Sequence, residues 1–118
     1  MSETVQASPA GAHELYDALS AARRCYIIEL LAEADGPITV RALASNIAAI
    51  EHDTTPEAAS GSAYSNAYNA STQTHLPALA EVGLIQYNDD RKVVRKGPQF
   101  ESALLLLRVA RVAYQTLS

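Results

Sequence analysis

The sequence predicts an α+β fold that is mainly helical, and three observations predict it. Residues 62–82 carry a helical pattern, with Leu76, Leu79 and Val82 at three-residue spacing and Gly83 where a helix C-terminus favours positive φ. Next, Leu84-Ile85-Gln86-Tyr87 and Lys92-Val93-Val94-Arg95 are β-type runs on either side of a polar turn, Asn88-Asp89-Asp90. Finally, apolar residues recur at helical spacing upstream, and again in a C-terminal stretch that is apolar nearly all round. Helices, then a long helix ending at glycine, then a hairpin is how a winged helix-turn-helix passes from its recognition helix (about 62–76) into its wing (about 88–96).

Taken in order, residues 1–11 are polar and small and predict a flexible tail, and residues 12–97 would form the winged helix-turn-helix domain. A first helix starts near Ala12, with Leu15 and Leu19 four apart and Tyr16 beside them. Ser20 is placed to cap a second helix, whose apolar stripe is Tyr26, Ile27, Leu30, Leu31 and Ala34 and which stops at Asp35-Gly36-Pro37. Ile38 is a one-residue strand suited to pairing with the hairpin. Thr39 caps a third helix, in which Val40, Leu43, Ala44, Ile47 and Ile50 form the stripe. Glu51 to Gly61 is a long turn, with one extra helical turn expected at Thr55-Pro56-Glu57. Pro77 then falls inside the long helix and predicts a kink or restart near Thr74 to Leu76, because it cannot bond to the carbonyl of Gln73. Gly97-Pro98 ends the hairpin, and residues 98–118 supply a last helix. Ala103, Leu106, Ala110, Ala113 and Leu117 make one stripe of it, and Leu105, Val109 and Val112 another. Two apolar faces need two partners, so the first stripe is expected to form a homodimer interface.

A chain of 118 residues with 48% apolar content can bury the core of a single domain. A lone cysteine, Cys25, rules out an internal disulfide, fits a reducing compartment and is expected as a small core residue. The opening MSETVQASPAG is polar where a signal peptide needs an apolar core, and the run Ala103 to Leu107 is too short for a bilayer. A cytoplasmic protein without a membrane partner is expected. Net charge is −4, distributed as −3 over residues 1–41, −6 over 42–90 and +5 over 91–118. No Lys or Arg lies between Arg41 and Arg91. Two lysines against seven arginines, with an acid excess, lean towards a salt-adapted proteome.

Ser62, Ser65, Asn66, Asn69, Thr72 and Gln73 fall on one face of the long helix, a surface of amides and hydroxyls without charge. Such groups read base edges in a major groove. Arg91, Lys92, Arg95 and Lys96 crowd into six positions of the wing and would hold the phosphate backbone, with Arg41 adding a further phosphate contact. Double-stranded DNA is therefore the expected partner.

Two stretches also resemble a known family. One is Leu19-Ser20-Ala21-Ala22-Arg23-Arg24 with Gly36-Pro37-Ile38-Thr39-Val40-Arg41-Ala42-Leu43-Ala44. The other is Asp53-Thr54-Thr55-Pro56-Glu57, then Tyr68, Gln73-Thr74-His75-Leu76-Pro77, Leu79, Gly83 and Tyr87. Together they resemble an uncharacterised winged helix-turn-helix domain family of halophilic archaea and some of their viruses, over roughly residues 13–96. The resemblance implies that fold and a presumed role in transcription regulation.

Catalytic patterns are weak by comparison. His52-Asp53 is a two-residue hint of a metal dyad in a loop, and His75 suits a partly buried, hydrogen-bonded histidine better than a base. There is no glycine-rich phosphate loop and no cysteine cluster for zinc. The expectation is a non-enzymatic regulator with no cofactor, metal or small-molecule ligand. The alternative is a winged-helix interaction module, an antirepressor or adaptor that binds protein and not DNA; the acidic 42–90 region favours it.

Overall fold

The computed structural model describes residues 11–59 and 61–117; the expected tail lies, apart from Gly11, outside them. The fold is α+β and mainly helical, with one small antiparallel sheet. Helix α1 (Ala12–Ala18) is opened by Glu14, whose carboxylate accepts the Gly11 N–H at 2.7 Å. Ser20 does not cap the next helix: its amide closes α1 on the Asp17 carbonyl, and α2 (Ala22–Glu33) starts from Ala21 without a side-chain cap. The α2 stripe is also rotated from expectation. Ile27, Ile28 and Leu31 are buried, while Tyr26 and Leu30 are half-buried at its edge.

Strand β1 (Ile38–Thr39) leads directly into α3 (Val40–Glu51), and Thr39 Oγ1 accepts the Ala42 amide at 3.1 Å as an N-cap should. Val40, Leu43, Ala44 and Ile47 are fully buried, yet Ile50 on the same stripe is 48% exposed. It lies at the end of the helix, beside an exposed turn. That turn contains the expected helical unit, in which the Ala58 and Ala59 amides both bond the Thr55 carbonyl.

The long helix forms in three registers: α4 (Gly61–Ala70), a π-helical turn at Ser71–His75, and α5 (Leu76–Glu81). The backbone stays helical through both junctions, and the Leu76 amide bonds the Ser71 carbonyl five residues back. The wide turn ends at His75, two residues before Pro77, which has no N–H to offer, so the register change falls where the proline interrupts the regular ladder. The helix then ends in paired bonds, Gly83 N–H to Ala80 and Leu84 N–H to Leu79, with Gly83 at φ 80°. Two orphan carbonyls are satisfied and buried Leu84 is brought back to the core.

Strands β2 (Ile85–Asn88) and β3 (Val93–Lys96) form the hairpin, and the sheet order is β1-β3-β2. Ile38 pairs with Val94 as the isolated Ile38 suggests. The returning strand is one residue later than expected: Lys92 sits in the turn at φ 57°, and Lys96 takes the last strand position opposite Ile85. The hairpin closes on Gly97, where a Cβ would lie 2.5 Å from the Gly83 carbonyl oxygen. Helix α6 (Phe100–Leu117) is anchored by its first turns, where Phe100, Ala103 and Leu104 are buried. Burying a side chain such as that of Phe100 contributes about 1.5–3 kcal/mol. From Arg108 to Thr116 every residue of α6 is exposed.

Candidate functional site

Helix α4 holds no charged side chain. Ala67 is fully buried and Ala63, Tyr64, Tyr68 and Ala70 are half-buried on the side packed against α3. That leaves Ser62, Ser65, Asn66 and Asn69 exposed, joined by Gln73 in the π-helical turn. Thr72 departs from the expected set. Its hydroxyl turns back on its own helix, 3.1 Å from the Tyr68 carbonyl and 3.3 Å from that of Asn69, and its donor is already in use.

The first turn of α3 brings Arg41 to this face. Arg41 is exposed and lines a cleft of about 210 Å³ with Tyr64, Ser65, Tyr68 and Asn69. The sequence-level set contains three of these five and omits both tyrosines. Their four-residue spacing beside Ser65 and Asn69 is the signal that could have found them. The rings lie 5.9 Å apart between centroids and are tilted by 39°. The hairpin reaches the same end of α3: Thr39 pairs with Val93, and the Val40 amide donates to the Lys92 carbonyl at 2.9 Å. Lys92 and Arg41 are thus held a residue apart across a backbone hydrogen bond.

The four basic residues of the hairpin do not act as one set. Lys92 bonds Asp89 at 2.6 Å, and the Tyr87 hydroxyl donates to the same carboxylate oxygen at 2.9 Å. Lys92, and then Tyr87, hold the Asp89 carboxyl below its usual range, and Asp89 holds the Lys92 ammonium above its own. Burial, helped by the bond to Asp89, pushes the Tyr87 phenol up. Lys96 stands 5.2 Å over the Phe100 ring. Arg95, its strand neighbour, is paired with Gln86 and projects from the opposite face of the sheet by strand alternation. Arg91 is exposed in the turn, where its amide donates to Asn88 Oδ1 at 3.0 Å.

Behind the π-helical turn lies a second polar cluster. Arg24 Nε donates to His75 Nδ1 at 3.1 Å, which requires a neutral imidazole, as expected for a partly buried histidine. Burial, then Arg24 and Arg23, push the His75 pKa down, while Glu51 opposes them. Arg23 grips Glu51 through two bonds, 2.6 and 2.8 Å, joining α2 to the last residue of α3. That fork lowers the Glu51 pKa and raises that of Arg23. Cys25 is half-buried against the core and its thiol is pushed up by burial, which keeps it in the unreactive thiol form.

The expected interface stripe on α6 needs correction. Ala103 is fully buried within the chain and Leu106 is half-buried against the core, so neither is open over its whole surface. Ala110 and Ala113 are exposed, and the side chain of Leu117 lies outside the described residues. The other stripe carries large exposed apolar residues: Leu105 at 64%, Val109 at 55% and Val112 at 62%. Arg111, between them, pairs with Glu29 of α2. A helix that is apolar all round does not say which stripe its own domain takes; the direction of the chain leaving Gly97 does.

Among the described residues no three His, Cys, Asp or Glu side chains are grouped to hold a metal, and no helix is long and apolar enough to cross a membrane. Fold and site together define a small α+β domain with an uncharged helical face, an arginine beside it and a basic hairpin held to the same helix start. The chain belongs to the family described as a domain of unknown function (DUF7344), which it matches over residues 16–95. The matched span contains Arg41, all of α4 and the hairpin through Arg95, and stops before α6. No curated protein and no solved structure matches the chain.

Proposed function

We propose that this protein is a winged helix-turn-helix DNA-binding regulator of transcription, with α4 as recognition helix, the β2–β3 hairpin as wing, and a homodimer as the working unit. The observation that carries the reading is the junction of three parts. Exposed Ser62, Ser65, Asn66, Asn69 and Gln73 lie on one helix, Arg41 lines a cleft with two of them, and the Val40–Lys92 bond ties the hairpin turn to Arg41. Amides and hydroxyls supply base readout, and the cations supply sequence-independent grip. The resemblance to an uncharacterised winged helix-turn-helix family of halophilic archaea and some of their viruses, with a presumed role in transcription, supports the same reading. In such a proteome a hydrogen-bonding face suits a salt-rich cytoplasm, where counterion release drives little binding.

The homodimer would form through Leu105, Val109 and Val112, with Ala110 and Ala113 at its margin, because these apolar side chains are exposed on a helix that outruns its own core. Val109→Glu should convert the dimer to monomer in analytical ultracentrifugation without loss of helical signal. An unchanged sedimentation coefficient would place the interface elsewhere.

DNA binding is tested by gel shift against the DNA upstream of the protein's own gene, at low and at molar KCl. A discrete complex that survives competitor DNA is the expected result. One observation favours a second reading, a protein-binding adaptor built on the same fold: residues 42–90 carry −6 with no basic residue. A folded dimer that shifts no DNA at either salt would establish that reading as the better one.

A further inference from the structure

We propose that the cleft between the first turn of α3 and helix α4 is a seat for a phosphodiester group, held by Arg41 together with the hydroxyls of Tyr64 and Tyr68; this deepens the DNA-binding reading and rests on it for the source of the phosphate. Every polar side chain lining the cleft can donate a hydrogen bond: the Arg41 guanidinium, the Tyr64, Tyr68 and Ser65 hydroxyls, and the Asn69 amide. None lining it is a carboxylate, and α4 carries no acid. Nor do these donors satisfy one another. Neither Arg41 nor the two tyrosine hydroxyls have a hydrogen-bonding or ionic partner among the described residues. Arg23, Arg24 and Arg111 differ, being engaged by Glu51, His75 and Glu29. Donor-bearing side chains that line one concavity, with no acid among them, fit an anionic oxygen ligand. A planar guanidinium matches the two free oxygens of a phosphodiester in particular. The tyrosines would thereby give α4, which has no cation, a fixed contact with the strand it lies against.

The test is duplex binding by the full chain, measured by fluorescence anisotropy across a salt series. Arg41→Gln should weaken binding to all sequences alike, by about tenfold, since a hydrogen bond to a charged group is lost. It should also flatten the salt dependence by roughly one released counterion. Tyr68→Phe, which keeps the half-buried ring, should weaken binding about threefold with the salt slope unchanged. The double variant should lose less than the product of the two, because both groups hold one phosphate. An unchanged slope in Arg41→Gln, or losses that multiply, would overturn the proposal.

Failure of the wild-type chain to bind any duplex would sink the DNA reading alone. The seat is then judged by titration with a thymidine dinucleotide carrying a single phosphodiester, followed at the Tyr64 and Tyr68 amides by NMR. Shifts abolished by Arg41→Gln keep the seat with a phosphodiester from another source. Absence of shifts in the wild type removes it.

Discussion

Helix α4 and the hairpin carry most of the residues expected to face a nucleic acid, and they hold them in opposite ways. The α4 side chains are neutral and uncommitted: Ser65 and Asn69 open into a cleft beside an arginine with no partner among the described residues. The hairpin side chains are charged and partly spent, Lys92 on Asp89 and Lys96 over the Phe100 ring. Formal charge in a sequence is therefore a poor guide to available charge. A neutral helix can offer open donors beside a basic hairpin in which two of four cations are already engaged.

That comparison can be broken most severely at the hairpin's base. Gly97→Val would push a branched side chain into the Gly83 carbonyl, 2.5 Å from where its Cβ must sit, and into the Ile85 amide at 2.8 Å. A loss of about 3 kcal/mol or more is expected in denaturant unfolding, in the range of severe backbone clashes. Near-wild-type stability would mean that the hairpin is not locked to the end of α5.

Smaller in effect, and sharper, is a pair of substitutions compared on cognate and unrelated duplexes. Asn69→Ala should cost about 1–3 kcal/mol on the cognate sequence and little on the other, as for a lost base contact. Lys92→Ala should weaken both duplexes equally. Equal losses from Asn69→Ala would remove the base-reading role of α4 and leave the two regions doing the same work.

A pH dependence comes next. The folded-state pKa of His75 is depressed, so its neutral form contributes stability that is complete above the unfolded value of about 6.5 and is lost as pH falls towards the folded one. Stability should therefore decline on going from pH 7.5 to 5.5, and His75→Asn should flatten that decline when denaturant midpoints are compared. Glu51 and Asp89 also have depressed values, but as carboxylates they lose their contribution at lower pH still, below about 4. An equal decline in the His75→Asn variant would exclude the Arg24–His75 bond as its source.

The smallest effect is expected at Thr72. Its hydroxyl is turned onto the Tyr68 and Asn69 carbonyls, so Thr72→Ala should change duplex affinity less than twofold, within the range of neutral surface changes. A loss as large as that of Asn69→Ala would show that the hydroxyl leaves its helix to meet the ligand.

Local chemistry determined much of this architecture. Thr39 caps α3, Gly83 ends the long helix and Pro77 disturbs the helix it interrupts, because each of these acts through neighbours a few residues away. The uncharged face of α4 was legible for the same reason, since a helical period needs no knowledge of what packs behind it. Only the tertiary structure decided which residues are free. The stripe of α6 that meets the core depends on where Gly97 releases the chain, so Ala103 is buried and Leu105 is open. Arg41 shares a cleft with Tyr64 and Tyr68 because α3 and α4 pack side by side. Contacts between residues far apart in sequence are set by the paths of whole helices, and it is those contacts that determine whether a polar side chain is spent within the molecule or left for a partner.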